Sequence, residues 1–194
     1  MIRLYILIAA TFALAQLVGC GTSPSSHFYT LSSGAPPERS EAKAQYSVAI
    51  GPVTVPEIID RPQIVTHGGP NQVQIAEFER WAGPLRSEIP RVIADNLMQQ
   101  LDGAYVYVYP QNVNLNADYQ VQLQVQRFDS TLGDAVTVEV LWAVHTAQGG
   151  TEKTGRSTVH EPTNGSGYDA LVVAYSRALA SVSRDIADAI RSTR

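Results

Sequence analysis

The chain has 194 residues, enough for one domain with a sizeable hydrophobic core. Hydrophobic residues make up 44% of it and charged residues 16%, and the formal net charge at pH 7 is -4. This mild acidity, without a cluster of Lys and Arg, argues against binding to nucleic acid and against electrostatic docking on anionic lipid.

The N-terminus carries the pattern of an exported protein. An apolar run from Leu4 to Val18 follows a very short start that contains Arg3. This combination predicts a secretory signal peptide over residues 1–19. One alternative is an uncleaved transmembrane helix, although the run is shorter than the ~20 apolar residues that a span requires. The other is a plain signal peptide followed by an incidental cysteine.

The end of the apolar run, Leu17-Val18-Gly19-Cys20, resembles the bacterial lipobox, and Cys20 is the single cysteine of the chain. The resemblance implies that Cys20 becomes the first mature residue, with a diacylglyceryl group on its thiol and an acyl chain on its amine. Each buried acyl CH2 contributes about 0.8 kcal/mol, so two or more chains give stable membrane anchoring. We therefore expect the protein to be held at a membrane by lipid.

The segment that follows, residues 20–45, is predicted to be a tether with one short β-type island. Gly21 to Ser26 is small and polar, which is typical of a flexible connection. Phe28 to Leu31 is β-type, and the loop after it is rich in Ser, Ala and Pro. We expect the island to pair with a sheet edge of the domain formed by residues 46–194.

The first half of that domain alternates short strands with one helix. Tyr46 to Val55 is predicted to be a strand, with a bulge or an edge position at Gly51-Pro52. Two β-type runs, 64–66 and 73–75, flank a Gly-Gly turn and predict a hairpin. Apolar residues at three- and four-residue spacing predict a helix over 84–101, which Pro90 would kink unless it falls within the first turns.

The second half contains the clearest patterns. Residues 104–109 read as a strand, and 119–126 alternate apolar residues with glutamines, which predicts one buried and one polar face. Two further strands, 136–144 and 151–160, follow tight turns and predict an antiparallel meander. A long apolar stripe over 168–190 predicts the final helix. Together these elements predict an α+β, two-layer domain in which an antiparallel sheet of five or more strands packs against two amphipathic helices.

Three segments of the mature chain resemble one family, the ABC-type transport auxiliary lipoproteins of the PqiC/YmbA-like group. The resemblance covers nearly the whole mature chain, from Phe28 into the C-terminal helix. One departure is His67, where members of the family often carry Arg. The segments are Phe28-Tyr29-Thr30-Leu31, the stretch from Ile50 to Val65 with Asp60-Arg61-Pro62, and Glu79-Arg80-Trp81-Ala82 with Pro84-Leu85.

This resemblance implies partners and not a reaction. Such lipoproteins work with an inner-membrane ABC permease and its ATPase, and with a periplasm-spanning protein that carries MCE domains. Together they move phospholipid or other hydrophobic cargo between the two membranes and support envelope integrity. Gly21 stands after Cys20 where Asp would retain a lipoprotein in the inner membrane, so the enterobacterial sorting rule implies the outer membrane. A homo-oligomer stays open.

The residues themselves do not indicate catalysis, a cofactor or a metal. The four histidines are scattered without a metal-binding spacing. His145 and His160 flank a Gly-Gly turn and could face each other across a hairpin, but two polar residues on a solvent face are the simpler interpretation, because zinc requires three or four ligands. We therefore expect a non-enzymatic protein. The alternatives are a lipid-binding shuttle whose helices open from the sheet, a periplasmic hydrolase, and a structural lipoprotein unrelated to transport.

Five residues are candidates for contact with a partner. Asp60 and Arg61 form a charged tip, for which a local ion pair or a turn next to Pro62 is an equally good explanation. Tyr105, Tyr107 and Tyr109 project from one side of a strand, and tyrosine suits an interface with one wet end. A sheet face covered by a helix would explain the same row. Trp81 is expected to be a core residue and not a ligand contact.

Overall fold

The computed structural model describes residues 24–34, 45–109, 117–147 and 152–193. The predicted signal peptide, Cys20 and the start of the tether lie outside the described residues. Within the described ranges the chain forms strands and two α-helices in the following order. The elements are β1 (His27–Tyr29), β2 (Tyr46–Thr54), a 3-10 turn (Glu57–Ile59), β3 (Gln63–Gly69), β4 (Gln72–Trp81), α1 (Leu85–Gln100), β5 (Ala104–Val108), β6 (Tyr119–Ser130), β7 (Ala135–Thr146), β8 (Glu152–Pro162) and α2 (Tyr168–Arg191).

Five strands form the larger sheet, in the order β5-β2-β6-β7-β8. The meander of β6, β7 and β8 is antiparallel, as the sequence predicts. The prediction that the whole sheet is antiparallel is wrong, because β2 runs parallel to both β5 and β6. Helix α1 carries the chain back along the sheet, so β5 starts at the same end as β2. The predicted bulge in β2 is confirmed, since its pairing with β6 shifts between Ile50 and Val53.

The other three strands form a separate sheet, in the order β1-β4-β3. The predicted hairpin is confirmed as the antiparallel pair β3–β4. The predicted pairing of the N-terminal island with a sheet edge is also confirmed, because β1 lies parallel to β4 with His27 opposite Glu79. The sequence predicts one sheet of five or more strands, whereas the structure divides its strands between two sheets. A second sheet forms because the hairpin pairs with β1 through β4.

Both helices pack on one face of the larger sheet, α1 against β2 and β5 and α2 against β7 and β8. Their apolar stripes are buried against the alternating apolar positions of the strands, which confirms the α+β class. Pro90 lies in the second turn of α1 and is buried, and the helix continues beyond it to Gln100. No helix within the described residues has the length and apolar character needed to cross a membrane.

An aromatic cluster joins the two sheets. Trp81 of β4 lies edge-on to Phe128 of β6 and to Tyr175 of α2, with ring centroids 6.2 and 6.1 Å away. The rings of Phe128 and Tyr175 are stacked at 3.9 Å, and the Tyr175 hydroxyl donates a hydrogen bond to the Phe128 carbonyl. Trp81 is only 5% exposed, so the expectation that it is a core residue is confirmed.

The segment after β1 is also part of the fold. Leu31 is fully buried, and its carbonyl accepts a hydrogen bond of 2.9 Å from the Arg91 guanidinium of α1. The amide of Ser32 donates to the Ser176 hydroxyl of α2. The described part of the N-terminal segment therefore crosses both helices and is fixed to them.

Candidate interaction surface

The face of the larger sheet opposite the helices is covered by no described helix; we call it the open face. It follows from the alternation of the strands, because Val106 and Val121 point to the helices and are buried while their neighbours point away. The open face presents the following side chains, from β5 across to β8. They include Tyr105 and Tyr107, Gln120, Gln122, Gln124 and Gln126, Glu139, Leu141, Ala143 and His145, and Thr154 and Arg156.

A shallow groove of about 650 Å3 crosses the open face between β2 and β8. Its lining places amide and hydroxyl groups around apolar side chains such as Pro52, Leu141 and Ala143, and it contains no titratable side chain. Such a surface can bind by hydrogen bonding and apolar contact.

The tyrosine row lies on the open face at the β5 edge. Tyr105 is 57% exposed, and its ring lies 5.5 Å from the ring of Tyr107. The interpretation that a helix covers this row is wrong, because α1 packs on β5 and Val106 is the residue buried beneath it. Burial raises the pKa of Tyr107, and the neighbouring Tyr105 and Tyr109 raise it further; its buried hydroxyl has no hydrogen-bond partner within the described residues. A partner contact through this row stays a prediction.

Asp60 and Arg61 lie elsewhere, beside the N-terminus of α1. Asp60 does not form the local pair that the sequence suggested; its carboxylate pairs with Arg86 in the first turn of α1. Arg61 is half-buried, and its Nε atom lacks a hydrogen-bond partner within the described ranges. The 16-residue helix spans about 24 Å between this tip and the start of β5. The structure thus does not bring the charged tip and the tyrosine row together, and a contact role for the tip stays a prediction.

The histidines do not converge. His145 lies opposite Glu152 and His160 opposite Thr137, so the two histidines are about 27 Å apart along the hairpin and do not face each other. His67 lies 3.5 Å from Asp129 at the end of β6. In the part of the chain that the structure describes, no three His, Cys, Asp or Glu side chains gather as metal ligands would.

One polar cluster, centred on Glu79, was not predicted from the sequence. Glu79 accepts hydrogen bonds from the Tyr29 hydroxyl at 2.5 Å and from His27 Nδ1 at 3.0 Å. These bonds, Tyr29 first, hold the pKa of Glu79 below its usual range. The cluster fastens β1 to β4. No local signal could have found it, because the partners are 50 or more residues apart and meet only through parallel pairing.

The fold defines a class of protein: a compact α+β scaffold whose larger sheet is covered by helices on one face and is free of described helices on the other. The model of a family described as the ABC-type transport auxiliary lipoprotein component matches residues 29–187. The chain therefore belongs to this family, and the resemblance seen in the sequence is confirmed.

Solved structures share the fold. The crystal structure of an uncharacterized protein superimposes with a TM-score of 0.72 at 22% identity, over 86% of this chain and 99% of that one. Protein XCC0632 from Xanthomonas campestris, described as a DUF330 protein, has a TM-score of 0.64 at 19% identity, over 84% and 93% of the two chains. No curated protein sequence matches the chain. At these sequence identities the two structures show only that the fold is shared.

Proposed function

We propose that this protein is an outer-membrane lipoprotein, anchored through lipid on Cys20 and facing the periplasm. It acts as a non-enzymatic auxiliary subunit of an ABC/MCE-type system that moves phospholipid or other hydrophobic cargo between the inner and outer membranes. Its partners in this proposal are an MCE-domain protein that spans the periplasm and, through it, the ABC permease and ATPase. The protein contributes a fixed docking point and no chemistry.

The observation that carries the proposal is the family match over 29–187, combined with the lipobox that ends at Cys20. The family is an auxiliary transport component, which supports a partner and not a substrate as the object of binding. The open face supports the same view. The helices pack on the other side of the sheet, so the tyrosines and glutamines of the open face are accessible to a protein partner.

A lipid shuttle with opening helices receives less support. The space between helices and sheet is filled by fully buried side chains, among them Val138 of β7 and Leu179 of α2. Opening the helices to admit an acyl chain would expose this core to water, at about 25 cal/mol for each Å2 of apolar surface.

The anchoring is tested with a Cys20→Ala variant in the native host. We expect the variant protein to be absent from the outer-membrane fraction. We also expect cells that carry it to be more sensitive to detergent, which measures the loss of envelope integrity. Gly21→Ala keeps the cysteine and serves as the matched control. A Cys20→Ala protein that stays in the membrane fraction and restores full resistance would contradict the proposal.

The docking surface is tested by photo-crosslinking in cells. A benzophenone amino acid at Tyr105, on the open face, should give a crosslink to the MCE-domain protein. The same group at Val173, which is exposed on α2, is the control and should not. Crosslinks from Val173 and none from Tyr105 would assign docking to the helical face instead.

A further inference from the structure

The three-stranded sheet exposes apolar side chains that the core does not use. Phe28 is 65% exposed, and Val73, Ile75 and Phe78 are also exposed. Val73 and Ile75 share one face of the hairpin, because they lie opposite His67 and Val65. Val73 and Ile75 therefore form an exposed apolar pair on one face of this small sheet, and exposed apolar side chains that lie together mark an interaction surface.

The hairpin is also unusual in charge. From Gln63 to Ala76 the sequence contains no Lys, Arg, Asp or Glu, although the chain as a whole has 32 such residues. Its single titratable side chain is His67, which lies beside Asp129. Contact of the hairpin tip with a bilayer therefore does not require the desolvation of a Lys, Arg, Asp or Glu of the hairpin itself, which would be the largest cost of entering an apolar medium.

The direction of β1 places this hairpin near the expected anchor. Because β1 runs parallel to β4, the chain upstream of His27 leaves toward the β3–β4 turn. Cys20 lies seven residues before His27, and Gln72 lies seven residues before Glu79, the residue paired with His27. Both intervals reach about 24 Å when extended. The length of chain before β1 thus allows the lipid on Cys20 to lie level with the hairpin tip.

We infer that the tip of the β3–β4 hairpin contacts the phospholipid bilayer beside the lipid anchor and sets the orientation of the domain on the membrane. The inference rests on the proposed lipidation of Cys20. With the tip at the bilayer, the long axis of the hairpin points from the membrane to the rest of the domain. The lipid then restrains position, and the hairpin restrains orientation.

A bilayer, and not a second protein, is the proposed partner of this surface, because the lipid-bearing Cys20 lies close in sequence to the first described residue. Only three residues lie between Cys20 and Pro24, the first described residue, so this interval of four peptide units spans at most about 14 Å. A lipid anchor on so short a linker keeps this end of the molecule at the membrane surface. The mild overall acidity means that contact should not depend on anionic lipid.

The test uses lipidated mature protein in phosphatidylcholine vesicles, with a nitroxide label at Val73→Cys. The label is unique, because Cys20, the single cysteine of the sequence, is occupied by lipid. Val108→Cys is the matched control: the same residue type, 39% exposed against 42% for Val73, but on β5 of the other sheet. Collision rates with oxygen, which concentrates in the bilayer, and with a water-soluble nickel complex are measured for both labels.

We expect the oxygen-to-nickel ratio at position 73 to be several-fold above that at position 108, and a label at Ile75→Cys to behave as at 73. Equal nickel access at 73 and 108 would overturn the inference. A label at 73 that is shielded from both agents would also overturn it, since a protein contact and not lipid would then cover the hairpin. Flotation of the vesicles separates the two proposals. Protein that does not float with the vesicles refutes the anchoring itself. Protein that floats, but whose label at position 73 is as accessible to nickel as the control, refutes only the bilayer contact.

Discussion

Replacement of Trp81 by alanine tests whether the two sheets form one cooperative unit. The indole lies at the end of β4 against Phe128 and Tyr175, so it is an apolar link between the hairpin sheet and the helix-covered core. Its backbone amide also donates to the Pro62 carbonyl at 2.7 Å, and this bond survives the substitution. The variant therefore removes packing and leaves the local backbone pairing in place.

The expected loss follows from burial. Truncation of a fully packed Phe or Trp to Ala costs about 3–5 kcal/mol, and Trp81 at 5% exposure belongs to that class. The two edge-on ring pairs contribute within this sum, at about 0.5–1.5 kcal/mol each. A domain with a total stability of about 5–15 kcal/mol loses a large fraction of it.

The assay is urea unfolding of the mature chain with Cys20→Ser, followed by far-UV circular dichroism. Trp142 on β7 remains as a fluorescent reporter of the larger sheet. Phe78→Ala is the matched control, because Phe78 is an aromatic residue of the same strand that is exposed; its expected loss is within about 0.5 kcal/mol. If the two variants lost the same free energy of unfolding, the idea that the aromatic cluster joins the sheets would be wrong.

Two further predictions concern single contacts. A Cβ at Gly155 would lie 2.1 Å from the Trp142 ring, so Gly155→Ala should lower the free energy of unfolding by about 1–3 kcal/mol. Gly69→Ala is the control, because a Cβ there meets nothing within 4 Å and should change the free energy of unfolding little. A Gly155→Ala variant as stable as the parent protein would contradict the packing. Glu79→Gln should cost about 1 kcal/mol at pH 7, because the carboxylate loses its charge-assisted bond from Tyr29. Since folding lowers the pKa of Glu79, this contribution is present above its ordinary value of about 4.3 and is lost as the pH falls through the folded value. Urea titrations of both proteins at pH 7 and pH 3 check this, and a difference that does not shrink at pH 3 would refute it.

The candidate surface was only partly accessible from sequence. The row of Tyr105, Tyr107 and Tyr109 follows from strand periodicity, but periodicity could not tell whether a helix covers that face. The answer depends on which side of the sheet α1 and α2 occupy, and the burial of Val106 supplies it. Asp60 shows the same limit, because its partner Arg86 is 26 residues away and lies on another element.

What the sequence determined by itself is local. Period-2 alternation located the strands of the meander, three- and four-residue spacing located both helices, and short motifs around Asp60 and Trp81 pointed to the family. Those signals act within a few residues, so they need no knowledge of the fold.

The tertiary structure alone decided which strands are neighbours. It placed β2 between two parallel partners, separated the hairpin into a second sheet, and brought Glu79 to Tyr29. Strand edges present the same backbone donors and acceptors whatever their sequence, so the choice among edges is made by global packing of apolar faces and not by any local pattern.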